Sequence, residues 1–129
     1  MTPDRQVIVY RLYNALTVAS DQVTFYDDGV GADAQGLDRI LDGAFGQGLL
    51  QKIMDGYTKI ARVFEPGDEL FLFGFSRGAY TARSLAGMIA NCGLPTGNFT
   101  DDCVTQAFAA YRNPASRETI LSGLGTCGP

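Results

Sequence analysis

Apolar residues follow two different spacings along this chain, one typical of helices and one typical of strands. Over residues 49–64 they recur every three or four positions, with polar side chains between them, which predicts an amphipathic helix. Residues 70–73 are instead apolar at every position, as expected of a strand that is covered on both faces. Residues 22–26 form a second short run that predicts a strand.

Further helices are predicted on either side of these strands. Helical spacing favours a helix over residues 7–16, although residues 7–10 alone also fit a strand. A helix follows residue 76 and ends at Gly93, with others over residues 100–111 and 116–121. Residues 32–48 read as a long loop with a short helix at 37–41.

This alternation of helix and strand predicts an α/β fold, that is, part of a parallel sheet with flanking helices. Residues 1–129 form a single domain in this interpretation, with frayed ends at 1–6 and 122–129. Two strands cannot bury both faces and both edges of a sheet. We therefore expect an incomplete domain, a piece of a longer protein, and self-association through uncovered sheet edges.

A Gly-x-Ser-x-Gly motif joins the second predicted strand to the helix that follows it. It reads Gly74-Phe75-Ser76-Arg77-Gly78. This order is typical of a nucleophile elbow, a tight turn that exposes a serine hydroxyl between a strand and a helix. Glycine is expected two residues before and after the serine, where a Cβ would meet neighbouring backbone. The alternative is an ordinary helix whose Ser76 is only the N-cap.

Composition narrows the classes of function. The net charge of −4 argues against nucleic-acid binding, and no run of apolar residues is long enough to span a membrane. The sequence has no phosphate-binding fingerprint and no metal-ligand spacing, so we predict neither a cofactor nor a metal. It also contains no histidine. Without a leader sequence, the default location is the cytoplasm.

Several blocks of sequence together resemble one known family. They are Tyr26-Asp27-Asp28-Gly29-Val30-Gly31, then Gly46-Gln47-Gly48-Leu49, and then the whole stretch from Glu65 to Met88 around the serine motif. In order and spacing these blocks resemble the α/β-hydrolase family that includes the Tle1-like phospholipase effectors of type VI secretion. The resemblance covers about residues 7–112.

This resemblance implies an α/β-hydrolase fold and hydrolysis of phospholipid or other ester bonds. It assigns Ser76 as the nucleophile and the Arg77 backbone N–H as a donor in the oxyanion hole. The acid and the histidine of such a family follow the serine, and this sequence supplies no histidine. The resemblance also allows for a secreted effector.

Two acidic residues could lie near this site. Asp27 and Asp28 follow the first predicted strand, and ligands gather at the carboxyl ends of parallel strands. Either Asp27 or Asp28 could therefore approach Ser76, or both could only stabilise a turn. Two functions remain open: part of a serine ester hydrolase, or a non-catalytic interaction module with a hydrolase-like fold.

Overall fold

The computed structural model describes residues 8–27, 44–95 and 97–124, and within these ranges the regular structure is helical. In the part of the chain that the structure describes, five α-helices and one short 3-10 helix follow each other. They are α1 (Ile8–Ala15), α2 (Ala44–Val63), α3 (Arg77–Cys92), α4 (Asp101–Arg112), the 3-10 helix Pro114–Ser116, and α5 (Arg117–Ser122). These helices confirm the helical part of the prediction. The short helix predicted at 37–41 lies outside the described residues.

Helices α2, α3 and α4 enclose the core. Its buried side chains come from all three helices: Ile53, Tyr57, Ile60, Leu85, Met88, Val104, Ala107 and Phe108. Met88 is 0% exposed and Tyr57 is 1% exposed, so the contact between α2 and α3 is closed to water. Burial of side chains of this size contributes about 1.5–3 kcal/mol each.

Polar contacts fix the ends of these helices. The Tyr57 hydroxyl donates to the Gly93 carbonyl at 2.6 Å, where Gly93 ends α3 with a φ of 70°. Thr100 is the N-cap of α4, and its hydroxyl accepts a hydrogen bond from the Cys103 backbone N–H. The Arg117 guanidinium donates to the carbonyls of Ala110 and Tyr111 and thereby attaches α5 to the end of α4.

Helix α1 lies apart from this core. None of its residues is buried. Its Tyr10 and Tyr13 rings pack on Tyr26, with ring centroids 5.2 and 5.5 Å away. An ion pair between Asp27 and Lys52 then joins this segment to α2.

The predicted α/β fold with a parallel sheet is wrong for the part of the chain that the structure describes. Those residues contain no β-strand, and their one β-bridge pairs Ala19 with Gln22 in the antiparallel sense. Residues 22–26 and 70–73 carry strand-like patterns, but neither segment has a neighbouring strand among the described residues to complete a ladder. Without such pairing an apolar run does not become a strand. The predicted self-association through sheet edges is therefore unsupported, because the described residues form no sheet.

The structure describes only part of the two chain ends that were predicted to be frayed. Residues 1–6 and 125–129 lie outside the described residues. Ser122 ends α5, and Leu124 packs against the edge of the core. The frayed ends stay a prediction. The single-domain assignment stays a prediction.

Candidate active site

Ser76 has an unusual backbone conformation. Its φ of 56° and ψ of −121° make it the one non-glycine residue with positive φ among the described residues. Such a conformation costs about 1–3 kcal/mol and persists only where the surrounding structure enforces it. Backbone strain of this kind is concentrated at functional sites, and here it falls on the serine that the motif singles out.

The turn around Ser76 is held by backbone hydrogen bonds at the start of α3. The Gly78 N–H donates to the Phe75 carbonyl at 2.9 Å, and the Ala79 N–H donates to the Ser76 carbonyl at 3.0 Å. The Ser76 side chain itself makes no capping hydrogen bond. The exposed hydroxyl is therefore not used as an N-cap, which was the alternative role for this serine.

The two glycines of the motif are not equivalent. A Cβ added at Gly74 would lie 2.2 Å from the Gly78 carbonyl oxygen and 2.7 Å from the Ala79 Cα, so the turn requires glycine there. A Cβ added at Gly78 meets no atom within 4 Å. The steric reason expected for both glycines therefore holds for Gly74 alone.

Arg77 is the first residue of α3 and its side chain is half-buried. Its backbone N–H belongs to the first turn of a 16-residue helix, where the helix dipole creates positive potential. An oxyanion that formed at Ser76 would lie at this end of the helix. Negative charge is stabilised at such a position.

The structure describes one of the two acidic residues that were predicted near Ser76. The Asp27 carboxylate lies 2.8 Å from the Lys52 ammonium on α2, so its charge is neutralised there. Asp28 lies outside the described residues. Within the described ranges no three His, Cys, Asp or Glu side chains could together hold a metal ion.

The strongly shifted titratable groups lie away from the serine. Burial raises the pKa of Tyr57 to about 12, and burial also raises the pKa of the Cys92 thiol. Cys92 is the last residue of α3 and Ser76 precedes its first residue. At 1.5 Å per residue, a helix of this length separates the two by about 24 Å. These shifts reflect burial in the core and add nothing to the candidate site.

Sequence reasoning missed the exposure of aromatic side chains that precede and follow Ser76 in the chain. Phe71, Phe73, Phe75 and Tyr80 are all more than half exposed, whereas residues 70–73 were expected to be covered. The exposure follows from the missing strand partners, which the sequence pattern cannot reveal. An open recess of about 540 Å³ is lined by α5 and the 3-10 helix, and none of the predicted site residues contributes to it.

No helix among the described residues has the length and apolar character that crossing a bilayer requires.

No solved structure matches the chain.

Comparison with known sequences identifies the family. A model of the type VI secretion Tle1-like phospholipase effector catalytic domain matches residues 3–122. An uncharacterized protein of Saccharomyces cerevisiae strain ATCC 204508 / S288c, YEL023C, is 39% identical over 118 aligned positions. That alignment covers 80% of this chain and 17% of the yeast protein, so the chain spans about a sixth of this relative. The resemblance predicted from the sequence blocks is therefore confirmed: the chain belongs to the family of Tle1-like phospholipase effector catalytic domains.

Proposed function

We propose that this chain is the nucleophile-bearing part of a serine ester hydrolase that acts on lipid esters, with Ser76 as the nucleophile. One observation carries the proposal. At the start of α3, Ser76 has a strained backbone and an exposed side chain that does not cap the helix, in a chain that belongs to a phospholipase effector family. A serine that served only as an N-cap would adopt a relaxed β-region backbone and use its hydroxyl on the helix.

In the proposed reaction, Ser76 acts as the nucleophile of a serine esterase. The Ser76 Oγ bonds to the carbonyl carbon of the ester, and its proton passes to a base. The backbone N–H of Arg77 stabilises the negative oxygen of the tetrahedral intermediate. The intermediate then releases the alcohol, which takes up the proton, and water hydrolyses the acyl-serine to a free fatty acid.

The base is the component that the described residues do not supply. Asp27 is engaged by Lys52, and a histidine base must come from outside these 129 residues, because the sequence contains none. Loss of the base from a serine triad leaves on the order of 10³–10⁴-fold catalysis over water. We therefore expect slow turnover by the chain alone. In an assembled effector, export to a target membrane would bring this site to its substrate.

The second candidate function is a non-catalytic interaction module. The absence of histidine and the neutralised Asp27 favour it. The two functions differ in the reactivity of Ser76, which separates them experimentally.

A fluorophosphonate probe tests the proposal on the full chain. We expect slow labelling that disappears in Ser76→Ala and accelerates with added imidazole, since imidazole can take the proton that histidine would accept. Ser116→Ala is the matched control, because Ser116 also precedes a helix without a capping bond but has an ordinary φ of −108°. Labelling that ignores Ser76→Ala, or no labelling even with imidazole, would leave the interaction module as the function.

A further inference from the structure

The cysteines of this chain differ in their chemical state. The sequence contains three of them, Cys92, Cys103 and Cys127. In the part of the chain that the structure describes, Cys92, the last residue of α3, is a free thiol. Cys103, in the first turn of α4, is disulfide-bonded. Its covalent partner must therefore be a cysteine other than Cys92.

The surroundings of Cys92 keep it out of this bond. Its thiol donates to the Ala107 carbonyl, with 3.4 Å between sulfur and oxygen. Burial raises the pKa of the Cys92 thiol, so little thiolate is present at neutral pH. Because the thiolate is the species that exchanges with a disulfide, Cys92 is a poor competitor for the bond to Cys103.

The Cys103 sulfur is enclosed at the start of α4. The residue is 6% exposed, and its Sγ lies 3.4 Å from the Thr100 hydroxyl. A sulfur in a disulfide has no proton to donate, so the Thr100 hydroxyl donates to it. The same hydroxyl accepts the hydrogen bond from the Cys103 backbone N–H that caps the helix. Thiols in solution therefore have little access to this sulfur.

The chain that follows α4 returns to the helical core. Arg117, at the start of α5, donates to the carbonyls of Ala110 and Tyr111 at the end of α4. Leu124, beyond the end of α5, packs against the core to which α4 contributes. Three residues lead from Leu124 to Cys127, and an extended chain of that length spans about 10 Å. A link of this length can bring Cys127, which lies outside the described residues, to α4.

We propose that Cys103 and Cys127 form a disulfide that fastens the carboxyl-terminal residues to α4. Cys127 is the one cysteine of these 129 residues that remains as a partner once Cys92 is free. The bond closes a loop of residues 103–127, which includes the 3-10 helix and α5. Together with Arg117 it holds α5 from both sides. Disulfides persist in oxidising compartments and are reduced in the cytoplasm, so the two compartments set the state of this bond.

The bond forms by exchange with an oxidised thiol such as glutathione disulfide. One cysteine thiolate attacks a sulfur of glutathione disulfide, which gives a mixed disulfide and releases one glutathione thiolate. The second cysteine thiolate attacks the protein sulfur of the mixed disulfide and releases the other glutathione. The two cysteines are oxidised, glutathione disulfide is reduced, and the two protons pass to the released glutathione thiolates.

Counting thiols in the full chain tests the pairing. The chain is equilibrated with oxidised or reduced glutathione, denatured and alkylated with iodoacetamide. We expect alkylation of Cys92 alone after oxidation and of all three cysteines after reduction. Three alkylated cysteines under both conditions would overturn the proposal, as would a covalent dimer of twice the 13.8 kDa mass.

Mass spectrometry of a tryptic digest identifies the two partners. Without reduction, residues 84–112 should be linked to residues 118–129, since trypsin cleaves after Arg83, Arg112 and Arg117. Both Cys92 and Cys103 lie in the first peptide, so variants are needed to distinguish them. Cys92→Ser should keep the link and Cys103→Ser should lose it. The opposite result would assign the bond to Cys92 and overturn the proposal.

Urea unfolding measures what the bond does for the fold. A disulfide that closes a loop of this length shifts the unfolding equilibrium by roughly 30- to 1,000-fold, so reduction should lower the urea midpoint. Cys127→Ser should unfold at the lower midpoint under both conditions. Cys92→Ser is the matched control, and its midpoint should still fall on reduction. A redox-independent midpoint in the parent chain, or an equal fall in Cys127→Ser, would overturn the proposal.

The disulfide and the proposed function can fail independently. Ser76 takes no part in the bond, so Ser76→Ala should keep the same thiol count and the same response to reduction. A redox-dependent midpoint that is lost with Ser76→Ala would show that the response does not come from Cys103 and Cys127.

Discussion

The helices α2–α4 and residues 69–75, which we call the phenylalanine segment, both carry large apolar side chains, but the structure treats them differently. The helices bury Ile53, Tyr57 and Met88 almost completely. The phenylalanine segment leaves three of its rings more than half exposed. A helix satisfies its own backbone and needs a neighbour for one stripe of side chains, whereas an extended segment also needs a partner for its peptide groups. Burial is therefore decided by the partners within reach rather than by hydrophobicity.

The two regions should differ most in how much unfolding free energy is lost when a large side chain is removed. Met88→Ala should lower the free energy of unfolding by about 2–5 kcal/mol, because Met88 is fully enclosed and its removal leaves a cavity. Urea unfolding followed by circular dichroism measures this. Met54→Ala, at a half-buried position on α2, is the matched control and should cost less. Equal losses would mean that the core is not centred on Met88.

An intermediate effect is expected at Tyr57. Tyr57→Phe removes the hydrogen bond to the Gly93 carbonyl and should cost about 0.5–1.5 kcal/mol at neutral pH. The raised pKa adds a pH dependence. Burial favours the neutral phenol in the folded state, so this stabilisation is complete below pH 10 and is lost as the pH rises towards 12.

The measurement at Tyr57 is urea unfolding across this alkaline range. The stability of Tyr57→Phe should fall less steeply with pH than that of the parent chain. Tyr80→Phe is the control, because Tyr80 is exposed and its removal should leave the slope unchanged. A parallel decline of the parent and Tyr57→Phe would show that Tyr57 does not ionise on unfolding.

The smallest effect is expected for the phenylalanine segment itself. Phe73→Ser removes an aromatic ring yet should change the free energy of unfolding of the monomer by less than about 0.5 kcal/mol, since the ring is mostly in water. The same urea titration measures this. A loss comparable to that of Met88→Ala would place Phe73 in the core and abolish the contrast between the two regions.

Prediction from the sequence succeeded for the helices and failed for the extended segments. Helices were predicted within a few residues of their bounds at α1, α3, α4 and α5, because their spacing and caps are local signals. Helix α2 begins at Ala44, earlier than its apolar stripe suggested. The predicted strands at 22–26 and 70–73 are wrong, because a strand depends on a distant partner that a short apolar run does not specify.

The candidate site combines a turn that the sequence indicated with an ion pair that it did not. Gly-x-Ser-x-Gly indicated a tight turn at Ser76, and the backbone there has the positive φ that such a turn requires. The role of Ser76 as nucleophile and of Arg77 as oxyanion donor stays a prediction. The Asp27–Lys52 ion pair was not foreseen, because two charges far apart in the sequence give no local signal.

The open space at Gly78 has a consequence for how this motif tolerates change. Since an added Cβ there meets no atom within 4 Å, Gly78→Ala creates no clash, and alanine favours a helix by about 1 kcal/mol over glycine. Gly74, by contrast, is confined by backbone. Homologues with alanine in place of Gly78 would therefore keep the same turn, and a search that insists on both glycines would overlook them.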